Sequence, residues 1–360
     1  MHKKNSQKLA RKKWSTLSAV GVLAGVMGMG GMSSAYAVEA PDQKPSIIHR
    51  LADKTLLTDV VESNGHYLAV GVHGTILHSL NGTDWTQAQI PVRNLLNAVT
   101  LTENGHAWAV GHDAVILHSA DWGKTWELQY YEPEIEIPYL GVLFTDDNIG
   151  YVVGAYGHLM ITADGGKNWT REPLKFVDPA SLAEEGEEPM ASGFDEYMHN
   201  EDFDLHLNAI VSMTIDDKPA LFIAGEMGTA LRSFDLGKSW QPMAVNYEGS
   251  FFGTTNPVGS DLFVYGLRGS VYHSKDAGVN WVRVDNKNKE TLFDSVPWGD
   301  DKLAIVGLGG RVLIVEKNSG ELLESVSLPG GPGNVAALSV ENGELLTVGW
   351  RGVDRVKVSQ

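Results

Sequence analysis

Carboxylates and tryptophans recur in this chain at one fixed spacing. The pattern S/T-x-D-x-G-x-x-W runs from Ser119 through Asp121 to Trp126, and from Thr162 through Asp164 to Trp169. It returns from Ser233 through Asp235 to Trp240 and from Ser274 through Asp276 to Trp281. A shortened form lies between Ser79 and Trp85, and around Glu316–Gly320 it has decayed. A row of acids beside indoles is the chemistry of sugar binding. One copy per repeat is also what a fold determinant looks like. The acid hydrogen-bonds its own turn, glycine supplies positive φ, and the indole buries a large apolar face between sheets. We therefore read these four Asp and four Trp as structural.

Binding chemistry is expected at a second set of turns, which are glycine-bounded. They read GVHG, GHDA, GAYG, GEMG, GLRG, GLGG and GWRG, starting at residues 71, 111, 154, 225, 266, 307 and 349. Their third positions hold His73, Asp113, Tyr156, Met227, Arg268, Gly309 and Arg351, with Arg311 just after one such turn. A mixed ring of polar, aromatic and cationic groups on loops of a rigid scaffold suits partner binding. The links Tyr130–Pro133 and Tyr247–Phe252, with Phe251 and Phe252, add aromatic surface to the same face.

The elements that position these residues follow from the period. The turns start 40, 43, 71, 41, 41 and 42 residues apart, so one supersecondary unit of about 42 residues repeats seven times. Short β-branched runs bounded by Gly, Asn and Asp predict four antiparallel strands per unit. The expected fold is all-β, a seven-bladed β-propeller. The last repeat supplies only three strands before Gln360, and the strand-like run from Ser46 to Leu51 is expected to complete it and close the ring.

The one stretched spacing predicts an acidic insertion at about 174–206. Its run of carboxylates reads as a plain solvated surface loop, while Met190, Phe194, Tyr197, Met198 and Phe203 interleaved among them would suit partner docking on the turn face. His199 and His206 lie in or near it, yet no calcium-loop spacing occurs, and we expect no metal and no cofactor.

Residues 1–37 read as a secretory signal peptide: six cations without an acid, an apolar stretch, then Ala35-Tyr36-Ala37. The domain is then 38–360, exported to a periplasm, or to a thylakoid lumen in a photosynthetic cell. Removing those cations takes the net charge from −17 to −23, which argues against nucleic acid and anionic membrane surfaces. With no Cys, disulfides and thiolate metal sites are excluded. The remaining chain has no uninterrupted apolar run long enough to span a bilayer, and we expect a monomer.

Joined to the Asp-box turns, the phrases Gly74-Thr75-Ile76-Leu77-His78-Ser79 and Gly157-His158-Leu159-Met160-Ile161-Thr162 resemble the Asp-box, or bacterial-neuraminidase-repeat, propellers. More closely, they resemble the photosystem II stability and assembly factor family of seven-bladed lumenal propellers. That resemblance covers about residues 46–360. It implies a non-enzymatic chaperone that holds a membrane-protein subunit through an arginine-rich patch. Here the arginines are scattered, from Arg93 to Arg355. The alternatives are a sialidase-like glycosidase or a transporter-associated scaffold. The first needs three arginines and a Tyr–Glu pair, of which Arg93 is a single echo and comes after the first Asp box.

Overall fold

Each repeat folds into one antiparallel sheet because its apolar runs are short and end at residues that turn. In the second repeat the strands are Leu96–Leu101, Ala107–Gly111, Val115–Ser119 and Glu127–Tyr130. A computed structural model of the chain describes residues 44–177, 205–328, 333–340 and 343–358. The signal-peptide segment 1–37 and residues 178–204, with Tyr197, lie outside the described residues. Among the described residues seven sheets form, six of four strands and one of three. Blades one to seven span 57–88, 96–130, 139–172, 207–242, 251–283, 292–327 and 334–357. The first strand of each blade is innermost, and these strands pack against one another around the full circle, the seventh against the first.

The core is divided among the blade interfaces. Leu68, Ile76, Leu96 and Leu117 fill the space between blades one and two. Phe222, Met243, Phe251 and Val264 do so between four and five. Leu57, Leu77, Leu346 and Val348 join seven to one, so the ring is closed by the same packing as elsewhere.

In each of the four full Asp boxes the acid accepts from its own turn. Asp235 Oδ1 accepts from the Ser239 N–H at 2.8 Å and Oδ2 from its hydroxyl at 2.6 Å. Asp121, Asp164 and Asp276 accept equivalently from Thr125, Asn168 and Asn280. Trp240 is fully buried between blades three and four, and Trp126, Trp169 and Trp281 pack into the interfaces with their preceding blades.

The segment from Ser46 to Leu51 departs from expectation. It does not complete blade seven. Ser46 N–H donates to Ile90 O at 2.9 Å, and the Gln87 side chain binds the backbone of Ile47 and His49, so the segment lines the outer edge of blade one. Its polar partners lie there, and the next residues explain the rest. The Asp53 carbonyl sits where a Cβ on Gly352 would be, and Arg355 reaches Asn81 O at 2.5 Å. Closure is thus made by the blade-to-blade link, and the outermost strand of blade seven, Gly352–Lys357, carries exposed Asp354, Arg355 and Lys357, charges that discourage edge pairing. The insertion begins in a similar way: Val177 and Lys175 exchange backbone hydrogen bonds with Trp240 at the edge of blade four.

The first glycine of every turn meets one constraint. A Cβ on Gly71, Gly111, Gly154, Gly225, Gly266, Gly307 or Gly349 would lie 1.9–2.6 Å from the carbonyl oxygen that precedes its blade's innermost strand. The next residue's N–H donates to that same oxygen, as from Leu267 to Ser250 O at 2.9 Å. Substituting Gly266→Ala is expected to destabilise the protein by about 3 kcal/mol, read as a lower urea midpoint at unchanged slope. An unchanged midpoint contradicts this account of the turn.

Candidate functional site

Two features converge on the face that carries the glycine turns. The first is the ring of third-position side chains. His73, Tyr156, Met227, Arg268 and Arg351 are exposed, with Tyr156 at 49% and Met227 at 53%. Asp113 is half-buried and accepts from Asn94 Nδ2 at 2.5 Å. His73, Asp113, Tyr156, Met227 and Arg268 all have φ between 54° and 59°, the left-handed region. Gly309 holds the same place in blade six, with φ 67°. The turn therefore asks for glycine there, and five blades hold a side chain on this left-handed backbone instead. Trp350, at the second position of the last turn, is 67% exposed and extends the surface.

Two other expected members of this ring lie elsewhere. Arg311 begins a strand and donates to Ser325 Oγ at 3.2 Å, so its head lies along the sheet of blade six and not on the turn ring. Phe251 is fully buried against Tyr247 and Tyr272 in the blade-four to blade-five core. Its neighbour Phe252 does face outward from the sheet, toward the axis. The cause is a β-bulge at the start of each innermost strand, where the register shifts by one residue.

That bulge builds the second feature, the mouth of the central channel. The extra residues are Thr58, Asn97, Leu140, Asn208, Phe252, Phe293 and Val335, and all line a cavity of about 470 Å³ on the axis. A bulge re-aims a side chain, and here it aims seven at one space. Thr58, Asn97 and Asn208 donate to carbonyls of the next blade at 2.7 Å each. Phe252 and Phe293 face each other at 5.4 Å between ring centroids. Tyr265 enters the lining over Gly253, whose missing side chain leaves it room.

One residue deeper the blades read Asp59, Ala98, Gly141, Ala209, Gly253, Asp294 and Ala336. Five are small and two are carboxylates, in blades one and six. Asp59 accepts from the N–H groups of Val60 and, across the blade boundary, Val99, both at 2.8 Å. Asp294 accepts from Ser295 at 2.7 Å and from Ala337 of blade seven at 2.9 Å. Burial pushes the Asp59 carboxyl up to about 8, helped by the charge of Asp294 and opposed by those N–H groups. Burial likewise raises Asp294 to about 6. No sequence motif marks either acid. Aligning the seven repeats on the glycine turn would have exposed them as the two outliers of a small-residue column.

Arg93 donates to Pro45 O at 2.5 Å and so ties down the N-terminal segment. Among the described residues no group of three His, Asp or Glu is placed to hold a metal ion. No helix among them is long and apolar enough to cross a membrane.

Residues 77–184 match the family model described as Photosynthesis system II assembly factor YCF48. No curated protein matches the chain in sequence. Among solved structures, YCF48 bound to a D1 peptide aligns with a TM-score of 0.60 at 14% identity, over 85% of this chain and 94% of that one. YCF48 from Cyanidioschyzon merolae gives 0.60 at 18% identity, over 87% and 97%. The WD40 propeller domain of Doa1 also gives 0.60, at 10% identity over 87% and 95%. These likenesses establish a shared propeller fold, since an unrelated propeller scores equally.

Two expectations follow from the site. Replacing Tyr156, Met227 or Arg268 by Gly relieves left-handed strain, so each variant should gain about 1 kcal/mol in urea unfolding; a loss contradicts the strain. The second concerns pH. Asp59 and Asp294 have folded values above the unfolded value of 3.8, so the stability they contribute is present at low pH and lost as pH rises through about 6 and about 8. His78 and His158 are held below 6.5 by burial, and their opposing effect begins only under that pH. Acidifying from pH ~8.5 to ~6.5 should therefore raise stability by about 1–2 kcal/mol, with Asp59→Asn flattening the profile. A fall in stability over that window contradicts the assignment.

The match over 77–184 bears out the resemblance to the photosystem II assembly-factor propellers, and the fold extends the shared architecture to the whole ring.

Proposed function

We propose that this chain is an exported, non-enzymatic propeller that binds a subunit of a membrane-protein complex as an assembly or stability factor. The observation that carries the reading is the set of five side chains held on left-handed backbone at one position of the turn face. Glycine is the low-energy choice there, and Gly309 shows that the fold accepts it. A strained backbone that persists in several repeats points to a use for the side chains it presents. The class of partner comes from the family match and from the YCF48 structure that holds a D1 peptide. Export rests on the basic start, apolar stretch and A-x-A site of residues 1–37. The non-enzymatic reading rests on the described arginines. Arg93 donates to Pro45, Arg232 to Ala277 and Gln241, Arg311 to Ser325 and Arg355 to Asn81, while Arg268 and Arg351 stand apart on the turns of blades five and seven, so these six do not form a substrate-gripping trio.

The test is affinity capture from detergent-solubilised membranes, comparing wild type with the triple variant Tyr156→Gly, Met227→Gly and Arg268→Gly. That variant is expected to be at least as stable as wild type, so loss of capture reports the surface. Wild type should enrich one membrane complex, identified by mass spectrometry, and the variant should lose about tenfold of it. Equal capture by both, or turnover of a sialoside by the purified protein, overturns the reading.

A further inference from the structure

We propose that the channel mouth receives one basic side chain, a Lys or Arg, carried on an apolar segment of the protein partner. This rests on the reading of the turn face as a docking surface and assigns the chemistry at its centre. Three observations support it. The cavity of about 470 Å³ lies on the axis at the end where the innermost strands begin, the face that carries the turns and the blade-to-blade links. Its rim on the blade-five to blade-seven side is apolar, formed by Phe252, Phe293 and Val335, with Leu140 across from them. Below the rim stand Asp59 and Asp294, and among the described residues no Lys, Arg or His forms an ion pair with either.

The fold itself does not call for those acids. The equivalent positions in the other five blades are Ala98, Gly141, Ala209, Gly253 and Ala336, and the ring closes there with no carboxylate at all. Each carboxylate accepts only backbone N–H groups, which lessen the burial penalty without supplying a countercharge. A cation entering from the open side supplies it. A long side chain with an apolar stem and a charged head matches an apolar rim over an acidic floor. The strongly negative net charge of the chain steers a basic segment toward it.

The experiment uses two fluorescein-labelled nonapeptides that alternate Leu, Phe and Gly around a central residue, Lys in one and norleucine in the other. Fluorescence polarisation is measured at pH ~8.5, where both acids are ionised and the peptide Lys is still charged, against the wild-type protein and against the variant Asp59→Asn with Asp294→Asn, its fold checked by thermal melting at that pH. The Lys peptide should bind wild type at least about tenfold tighter than the variant, and the norleucine peptide should bind both alike. Absence of Lys-peptide binding to wild type, or equal binding of the two peptides, overturns the proposal. Full displacement of the Lys peptide by an equal concentration of spermidine assigns the site to free amines instead. The two readings fail separately. Capture of a membrane complex with no Lys discrimination removes only the channel assignment. Lys discrimination with an empty membrane capture removes only the assembly-factor reading.

Discussion

One hydrogen bond, repeated in every blade, holds this architecture in register. The N–H after the first turn glycine donates to the carbonyl that precedes the innermost strand, as from His112 to Leu95 O at 2.9 Å and from Leu308 to Thr291 O at 2.9 Å. The approach is so close that any Cβ on the glycine would overlap that oxygen. With the carbonyl pinned, the first residue of the innermost strand pairs and is buried, and the second becomes a bulge that turns toward the axis. The glycine turn on the rim and the channel at the centre are thus parts of one device. The second turn glycine repeats the logic toward the next blade: Gly74 faces Val92 O, Gly228 faces Tyr247 O, and Gly352 faces Asp53 O. The last of these closes the ring.

What could be read from the residues alone was whatever the turn chemistry dictates. The Asp boxes, the glycine turns and the strands between them follow from local hydrogen bonding and positive φ, which residue types report directly. The bulge is not local in that sense. It depends on a carbonyl in another strand, so the alternation of the innermost strand shifts by one residue without a sequence marker. Composition alone therefore puts both Phe251 and Phe252 on the surface, whereas the shift buries the first and turns the second to the channel. Arg311 follows a glycine turn, but strand pairing with Ser327 lays it along the sheet. The Ser46–Leu51 run had the composition of a strand, yet Ser46 and Gln87 hydrogen bonds hold it at blade one.

The two faces of the propeller divide the physical work. On the Asp-box face, carboxylates are used up by their own turns and tryptophans by the interfaces, which adds rigidity and leaves little free chemistry. On the turn face the balance is reversed. Side chains occupy backbone positions suited to glycine, and two carboxylates sit beneath an apolar rim without a countercharge. Each of these features lowers stability in the unbound protein. A large interface core shared among seven blade contacts can tolerate that loss. The concentration of unfavourable terms on one face is what gives that face its functional reading.

Site-specific photocrosslinking measures this division most directly. A benzophenone amino acid is placed at Phe252 in the channel mouth, at Tyr156 on the turn ring, or at Leu236 in an Asp-box turn, and each protein is irradiated with solubilised membranes. The account predicts one common membrane-protein adduct from positions 252 and 156 and none from 236. Adducts from 236 alone, or equally from all three, contradict it.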